Sequence, residues 1–217
     1  TETLARWLGG MLDVRTYYLG SQQPSHWSRL LYLAYRVLRR SRRTLTGVAT
    51  GSDVLAAVVS ALCDAALSVH RISIGADRYR RYLAGRRCAS RGSIVLCDRF
   101  PMHWAGLRDD SALVDGPQIA SSDGRPIMRA FASLEEAIYH RMSPPDHLFL
   151  LEVSPDVSLQ RKPDHKPSDL EAKAQVAGRI RLMADTVPGG TSLACINANR
   201  PLEQVIDDLR RAVWHIL

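Results

Sequence analysis

The chain has 217 residues, 46% of them hydrophobic, and a formal charge of +7. That length and apolar content suit one domain with a sizeable core and exclude general disorder. The positive balance favours anionic partners without choosing among nucleotides, nucleic acid and lipid.

Cys63, Cys88, Cys97 and Cys195 lack the spacing of a zinc site or a redox pair and read as reduced thiols. The opening residues carry no signal-peptide pattern. The longest apolar run, Val54 to Cys63, is interrupted by Ser60 and stops at Asp64, too short to span a bilayer. A cytoplasmic protein without a membrane span is expected.

Residues 1–12 read as a helix, with Leu4, Leu8 and Leu12 on one face, weakened at Gly9-Gly10. Val14 to Leu19 reads as a strand stopped by Gly20. Trp27 to Arg40 follows helical periodicity and runs into Arg39, Arg40, Arg42 and Arg43, and residues 44–53 read as a loop. Asp53 is placed to cap a helix over 54–72, and a second, basic helix covers Ala76 to Arg91 and stops at Gly92. A strand over 93–97 leads into a connection rich in Pro, Gly and Asp at 101–130.

Beyond it, Leu134 to Met142 reads as a helix opened by Ser133, with Glu135 and Glu136 in its first turn. His147 to Val153 is an apolar strand, and a helix ends near 184 after a charged segment at 160–170. Leu193 to Ile196 is the last strand and Leu202 to Ile216 the terminal helix. Strands apolar on both faces, alternating with helices, argue an α/β fold with a parallel sheet covered on both sides.

Ser93-Ile94-Val95-Leu96-Cys97-Asp98-Arg99-Phe100 ends an apolar strand on an acid and a base, at the edge where open α/β sheets bind ligands. Asp98 could position an acceptor or help order magnesium, and Arg99 could clamp a phosphoryl group; a salt bridge closing a loop is the competing reading. Arg78, Arg80, Arg81, Arg86, Arg87 and Arg91 make either a solvated surface or a nucleic-acid footprint, and no aromatic platform interleaves with them. Arg161, Lys162, His165 and Lys166 form a positive cluster, either a segment covering a phosphoryl group or an exposed loop. The scattered histidines and acids give no metal-binding residues. Gly47-Val48-Ala49-Thr50-Gly51-Ser52-Asp53 has two glycines before a helix but no lysine, so it is not a phosphate loop.

In order along the chain, Ala76-Asp77-Arg78, Ile94 to Phe100, Pro145 to Val157, Arg161-Lys162 and Asn199 to Val205 resemble the thymidylate kinase family and its thymidylate-kinase-like relatives among the P-loop kinases. The resemblance implies a single P-loop kinase-like domain over 1–217, a three-layer sandwich, with an acceptor-binding helical region at about 27–91 and a lid at about 160–170. It implies transfer of the γ-phosphoryl of ATP, with Mg2+, to a nucleoside monophosphate or a related small phosphate-bearing or hydroxyl acceptor. Arg78, Asp98, Arg99 and Phe100 would bind the acceptor, and Asp98, Arg99 and Arg161 would serve catalysis. Arg161, Lys162 and Lys166 would face the donor phosphates. A homodimer is also implied.

Two departures qualify it. Phe100-Pro101-Met102-His103-Trp104-Ala105-Gly106 stands where that family holds thymidylate with Ser-Ser-x-Ala-Tyr-Gln-Gly, which weakens thymidylate as acceptor. No Gly-x-x-x-x-Gly-Lys-[Ser/Thr] loop occurs in the chain. The family's first, central strand and that loop are expected upstream of Thr1. A catalytically inactive kinase-like binding or scaffold protein is the first alternative, and a basic nucleic-acid-binding protein ranks last.

Overall fold

The computed structural model describes residues 1–47, 53–102, 119, 126–161, 163–164, 167–182 and 190–217. The glycine-bearing segment at 48–52, residues 103–106 after the Asp-Arg pair, and Lys162, His165 and Lys166 lie outside that set.

Helix α1 (Glu2–Leu8) is shorter than its apolar repeat suggests and ends at Gly9, where a Cβ would sit 2.9 Å from the Ala5 carbonyl oxygen. Strand β1 (Val14–Tyr18) pairs in parallel with β2 (Ile94–Asp98), Val14 opposite Ile94 and Tyr18 opposite Asp98. Between them run α2 (His26–Gly47) and α3 (Asp53–Ala89), packed extensively on each other.

Two expectations are corrected here. Helix α2 continues through residues whose Thr and Gly content predicts a loop. The two helices expected over 54–91 are one helix of 37 residues. Gly75, which lies between the two expected helices, stays helical and faces α4, where a Cβ would make an ordinary 3.6 Å contact with the Tyr139 ring. Gly92, at φ 89°, supplies the stop.

Helix α4 (Pro126–His140) opens on a proline, well before Ser133. Glu135 and Glu136 therefore lie mid-helix, and Glu135 is buried, accepting a hydrogen bond from the Ile119 backbone N–H at 2.8 Å. Strand β3 (His147–Glu152) pairs in parallel with β4 (Ser192–Asn197). Helices α5 (Pro155–Arg161), α6 (Pro167–Leu182) and α7 (Leu202–Trp214) complete the chain.

The strands are parallel, as expected, and with the helices make a mixed α/β fold. They form two pairs rather than one sheet: among the described residues β2 and β3 share no ladder. The split falls between β2 and β3. Side chains span it, since Met102, just beyond β2, packs with Val176 and Ile180 of α6 and with Leu148, Leu150 and Leu193 of β3 and β4. Ile196, on the opposite face of that strand pair, packs with Val205, Leu209 and Ala212 of α7. Helices therefore cover both faces of β3 and β4. On β1 and β2, α3 lies over Tyr17 and Val95, with Gly85 allowing the approach. Helix α1 rests on β1 and meets α7 through Trp7 and Trp214, whose ring centroids are 6.2 Å apart.

Length and composition alone would let part of α3 cross a bilayer: Ala57–Ala89 contains an 18-residue window of mean hydropathy 1.4. Sequence reading missed this because Ser60 and Asp64 interrupt the apolar run. In this fold the helix packs against α2, α4, β1 and β2, 11% of that window is buried, and Asp77 and Arg78, both buried, lie in the same helix beyond the window.

Candidate functional site

Parallel pairing brings the carboxyl ends of β1 and β2 together, and the Leu19 N–H donates to the Asp98 carbonyl at 2.8 Å, extending the ladder one step. Asp98 and Arg99 thus share an edge with Tyr18, Leu19 and Gly20. Asp98 is half-buried and Arg99 is exposed. Among the described residues no hydrogen bond or ion pair engages either side chain, so the loop-closing salt bridge is not formed there.

Arg99 has φ 55°, the left-handed region, alone among the described non-glycine residues. An arginine there costs about 1–2 kcal/mol, and its neighbours must enforce it. Phe100 is one enforcer: only 8% exposed, it packs with Leu19, Tyr82, Tyr139 and Met142. The expected substrate contact of Phe100 is thus a core anchor that pins the chain immediately after Arg99. A groove between Tyr82, Arg86, Val95, Cys97 and Pro145 borders Phe100 but is not lined by Asp98 or Arg99. Cys97 and Asp98 point to opposite faces of the strand, which separates that groove from the acid. Burial pushes the Cys97 thiol up to about 11.

Gly20 leaves the room that the Arg99 side chain occupies. A Cβ on it would fall 2.3 Å from the Tyr18 hydroxyl and 2.8 Å from Arg99 Cδ. The Tyr18 hydroxyl oxygen is buried and has no hydrogen-bond partner among the described residues. The loop leaving β1 is stitched to α3 by two side chains whose bracing role the sequence does not reveal. Arg81 donates to the Gly20 carbonyl at 3.3 Å and to the Gln23 carbonyl at 3.2 Å. Asp77 accepts from the Ser25 N–H at 2.9 Å and from the Ser28 hydroxyl at 2.6 Å, which starts α2. Burial opposes the charged form of Asp77, but the hydrogen bonds from Ser28 and Ser25 and the Arg81 charge outweigh it and hold the carboxyl below 3.8. Local sequence offers Asp77 in the Ala76-Asp77-Arg78 triplet and Arg81 in the basic run, but not their partners, which lie 49–61 residues away.

Arg78, expected to reach the acceptor, is fully buried and donates to the Tyr139 hydroxyl of α4. Tyr139 also packs in the cluster with Leu19 and Phe100, so Arg78 lies one residue behind the strand ends. The basic helix is not one charged face: Arg78 is inside and Arg81 is committed to carbonyls, while Arg80, Arg86, Arg87 and Arg91 are exposed. Arg161 donates to the Ala198 and Arg200 carbonyls, both at 2.8 Å, tying α5 to the turn after β4. The structure therefore brings Asp98, Arg99 and Phe100 to one edge with Arg78 behind them, and gives Arg161 a bracing role elsewhere. Among the described residues no cluster of three or more His, Cys, Asp or Glu could hold a metal ion.

No protein-family model matches the chain. It is similar to the uncharacterized ATP-binding protein YghR of Escherichia coli strain K12, 27% identical over 131 residues, covering 59% of the chain and 48% of that protein. The YghR protein of E. coli O6:H1 strain CFT073 matches to the same extent. The chain thus spans about half the length of the curated relatives it matches.

Proposed function

We propose that the chain binds a nucleotide at the carboxyl ends of β1 and β2 and serves transfer of the γ-phosphoryl of ATP to a nucleoside monophosphate or a related small acceptor. The observation that carries this reading is the uncommitted Asp98–Arg99 pair, anchored by Phe100 at the end of a parallel strand, with Arg99 in a left-handed conformation and its side chain in the room Gly20 leaves. The ATP-binding name of YghR supports the nucleotide part. The resemblance supports the kinase part, with residues 27–91 as the acceptor side, 160–170 as a lid, and a homodimer.

In this reading the Arg99 guanidinium grips acceptor phosphate oxygens through two parallel N–H bonds. The Asp98 carboxylate orients the attacking acceptor oxygen. That oxygen forms a bond to the γ-phosphorus, the bond to the β,γ-bridging oxygen breaks, and ADP leaves. A single free carboxylate fits a magnesium ion carried by the nucleotide phosphates, because such ions use one or two protein carboxylates and keep several waters. Bound there, the ion would neutralise phosphate charge. Most of the residues' work is positioning. Arg78, inside the fold, supports that edge through Tyr139.

A second reading, nucleotide binding without transfer, is favoured by Arg161, whose guanidinium is spent on two backbone carbonyls. Radiolabelled ATP incubated with the complete gene product and a panel of nucleoside monophosphates, sugars and lipid-linked alcohols separates the two. Transfer that is lost in Asp98→Asn supports the kinase. Saturable ATP binding without transfer to any acceptor supports the second reading. No ATP binding overturns both.

A further inference from the structure

Helix α2 presents two unlike stripes to solvent. Trp27, Leu30, Leu33 and Val37 are 73%, 56%, 52% and 66% exposed, more than half of each side chain facing water. Their spacing, with exposed Ala34 among them, stacks them along one side of the helix. Arg29, Arg36 and Arg40, at i, i+7 and i+11, stack beside that stripe, and all three are exposed. Ser28 faces the other way and is buried by its hydrogen bond to Asp77 of α3, and Tyr32 meets His70 of α3 at 5.2 Å between ring centroids. The helix is thus anchored by one side, and the apolar and basic stripes are turned outward together.

The charge is one-sided as well. From Val14 to Ser52 the sequence contains no Asp or Glu and seven arginines. Arginines flanking a Trp- and Leu-bearing stripe on a helix of low overall hydrophobicity are the makeup of a helix that lies in the plane of a membrane interface. We propose that α2 docks this chain on an anionic phospholipid surface, Trp27, Leu30, Leu33 and Val37 entering the headgroup–acyl boundary while Arg29, Arg36 and Arg40 hold lipid phosphates. Charge complementarity selects that occupant. Two copies joined through α2 would set arginine against arginine with no acid on either helix. A nucleic-acid backbone would satisfy the arginines but leave the apolar stripe in water.

Flotation of the full-length protein with vesicles of phosphatidylcholine alone, or of phosphatidylcholine with phosphatidylglycerol, tests this. Binding is expected only to the anionic vesicles, weakening with salt, together with a blue shift of tryptophan emission that Trp27→Phe removes. Arg36→Gln with Arg40→Gln should weaken partitioning about 30-fold, from the typical contribution of a basic residue near an anionic surface. Leu30→Ser with Val37→Ser should abolish the blue shift. These side chains are exposed, and circular dichroism checks that the variants stay folded. The proposal is overturned by absence of binding, by equal binding to both vesicle types, or by binding indifferent to both double variants. It is equally overturned if Leu30→Ser with Val37→Ser turns a stable dimer into monomers, which would give the stripe to a second copy, or if nucleic acid binds through the same arginines and the vesicles do not.

Discussion

The backbone of Gly20 lies so close to Arg99 that a Cβ on it would fall 2.8 Å from Arg99 Cδ, and 2.3 Å from the Tyr18 hydroxyl. Gly20→Ala should therefore displace Arg99, Tyr18 or the loop itself. The expected loss is about 1–3 kcal/mol by urea denaturation, the usual cost of forcing an extra methyl into a packed place. Nucleotide affinity should fall further than stability alone explains, since the displaced group is the proposed phosphate clamp.

Arg99→Gly separates the clamp from the strain. Glycine adopts φ 55° freely, so the variant should be as stable as the parent or up to ~1 kcal/mol more so. Phosphoryl transfer should nonetheless fall by two or more orders of magnitude, on the order of what losing a charged phosphate contact costs. Thermal melts beside turnover measurements read both. A stable variant that keeps full transfer would remove Arg99 from the site.

Asp77 makes folding sensitive to acid. Its folded carboxyl titrates below the ordinary 3.8, so its contribution is complete above 3.8 and is lost as the pH falls through the lower folded value. Asp77→Asn should cost about 1–3 kcal/mol at neutral pH, because the Ser28 and Ser25 donors lose a charged acceptor. Urea titrations at neutral pH and below 3.8 should show the gap between parent and variant closing in acid.

Cys97 should resist alkylation. With its thiol pushed up to about 11, the thiolate at pH near 8 is on the order of one part in a thousand. Timed iodoacetamide labelling read by mass spectrometry should modify the exposed Cys195 first and Cys97 only after unfolding. Early modification of Cys97 would mean that the groove over it opens readily.

The strands were legible because apolar runs bounded by Gly, Pro and Asp state themselves locally: Val14 to Tyr18, Ile94 to Asp98, and the two later strands fall within a residue or two of their periodicity. Helix ends were less legible. Thr44 to Gly47 carry loop-like residues yet stay helical at the end of α2, and Gly75 interrupts nothing because α4 packs against it. Of the site, Asp98 and Arg99 were visible as a strand ending on charge. The contacts of Asp77, Arg81, Tyr18 and Gly20 were not. Their roles depend on α3 lying beside the exit of β1, and no local pattern encodes a contact across 52 to 61 residues. Arg78 and Phe100 were noticed for their chemistry, but only packing reveals that both are inside.

One consequence follows from α3 being unbroken. At 37 residues and 1.5 Å per residue it is a rod of about 55 Å, touching Tyr139 at Gly75 on the way. Asp77 and Arg81 grip the β1 exit just past that contact. Helix α4 clamps that rod over its middle, from Ser68 against Met128 to Arg78 on Tyr139, so the β1 exit is gripped by a firmly held stretch and the exposed Val54, Val58 and Leu62 stand on the stretch beyond the clamp.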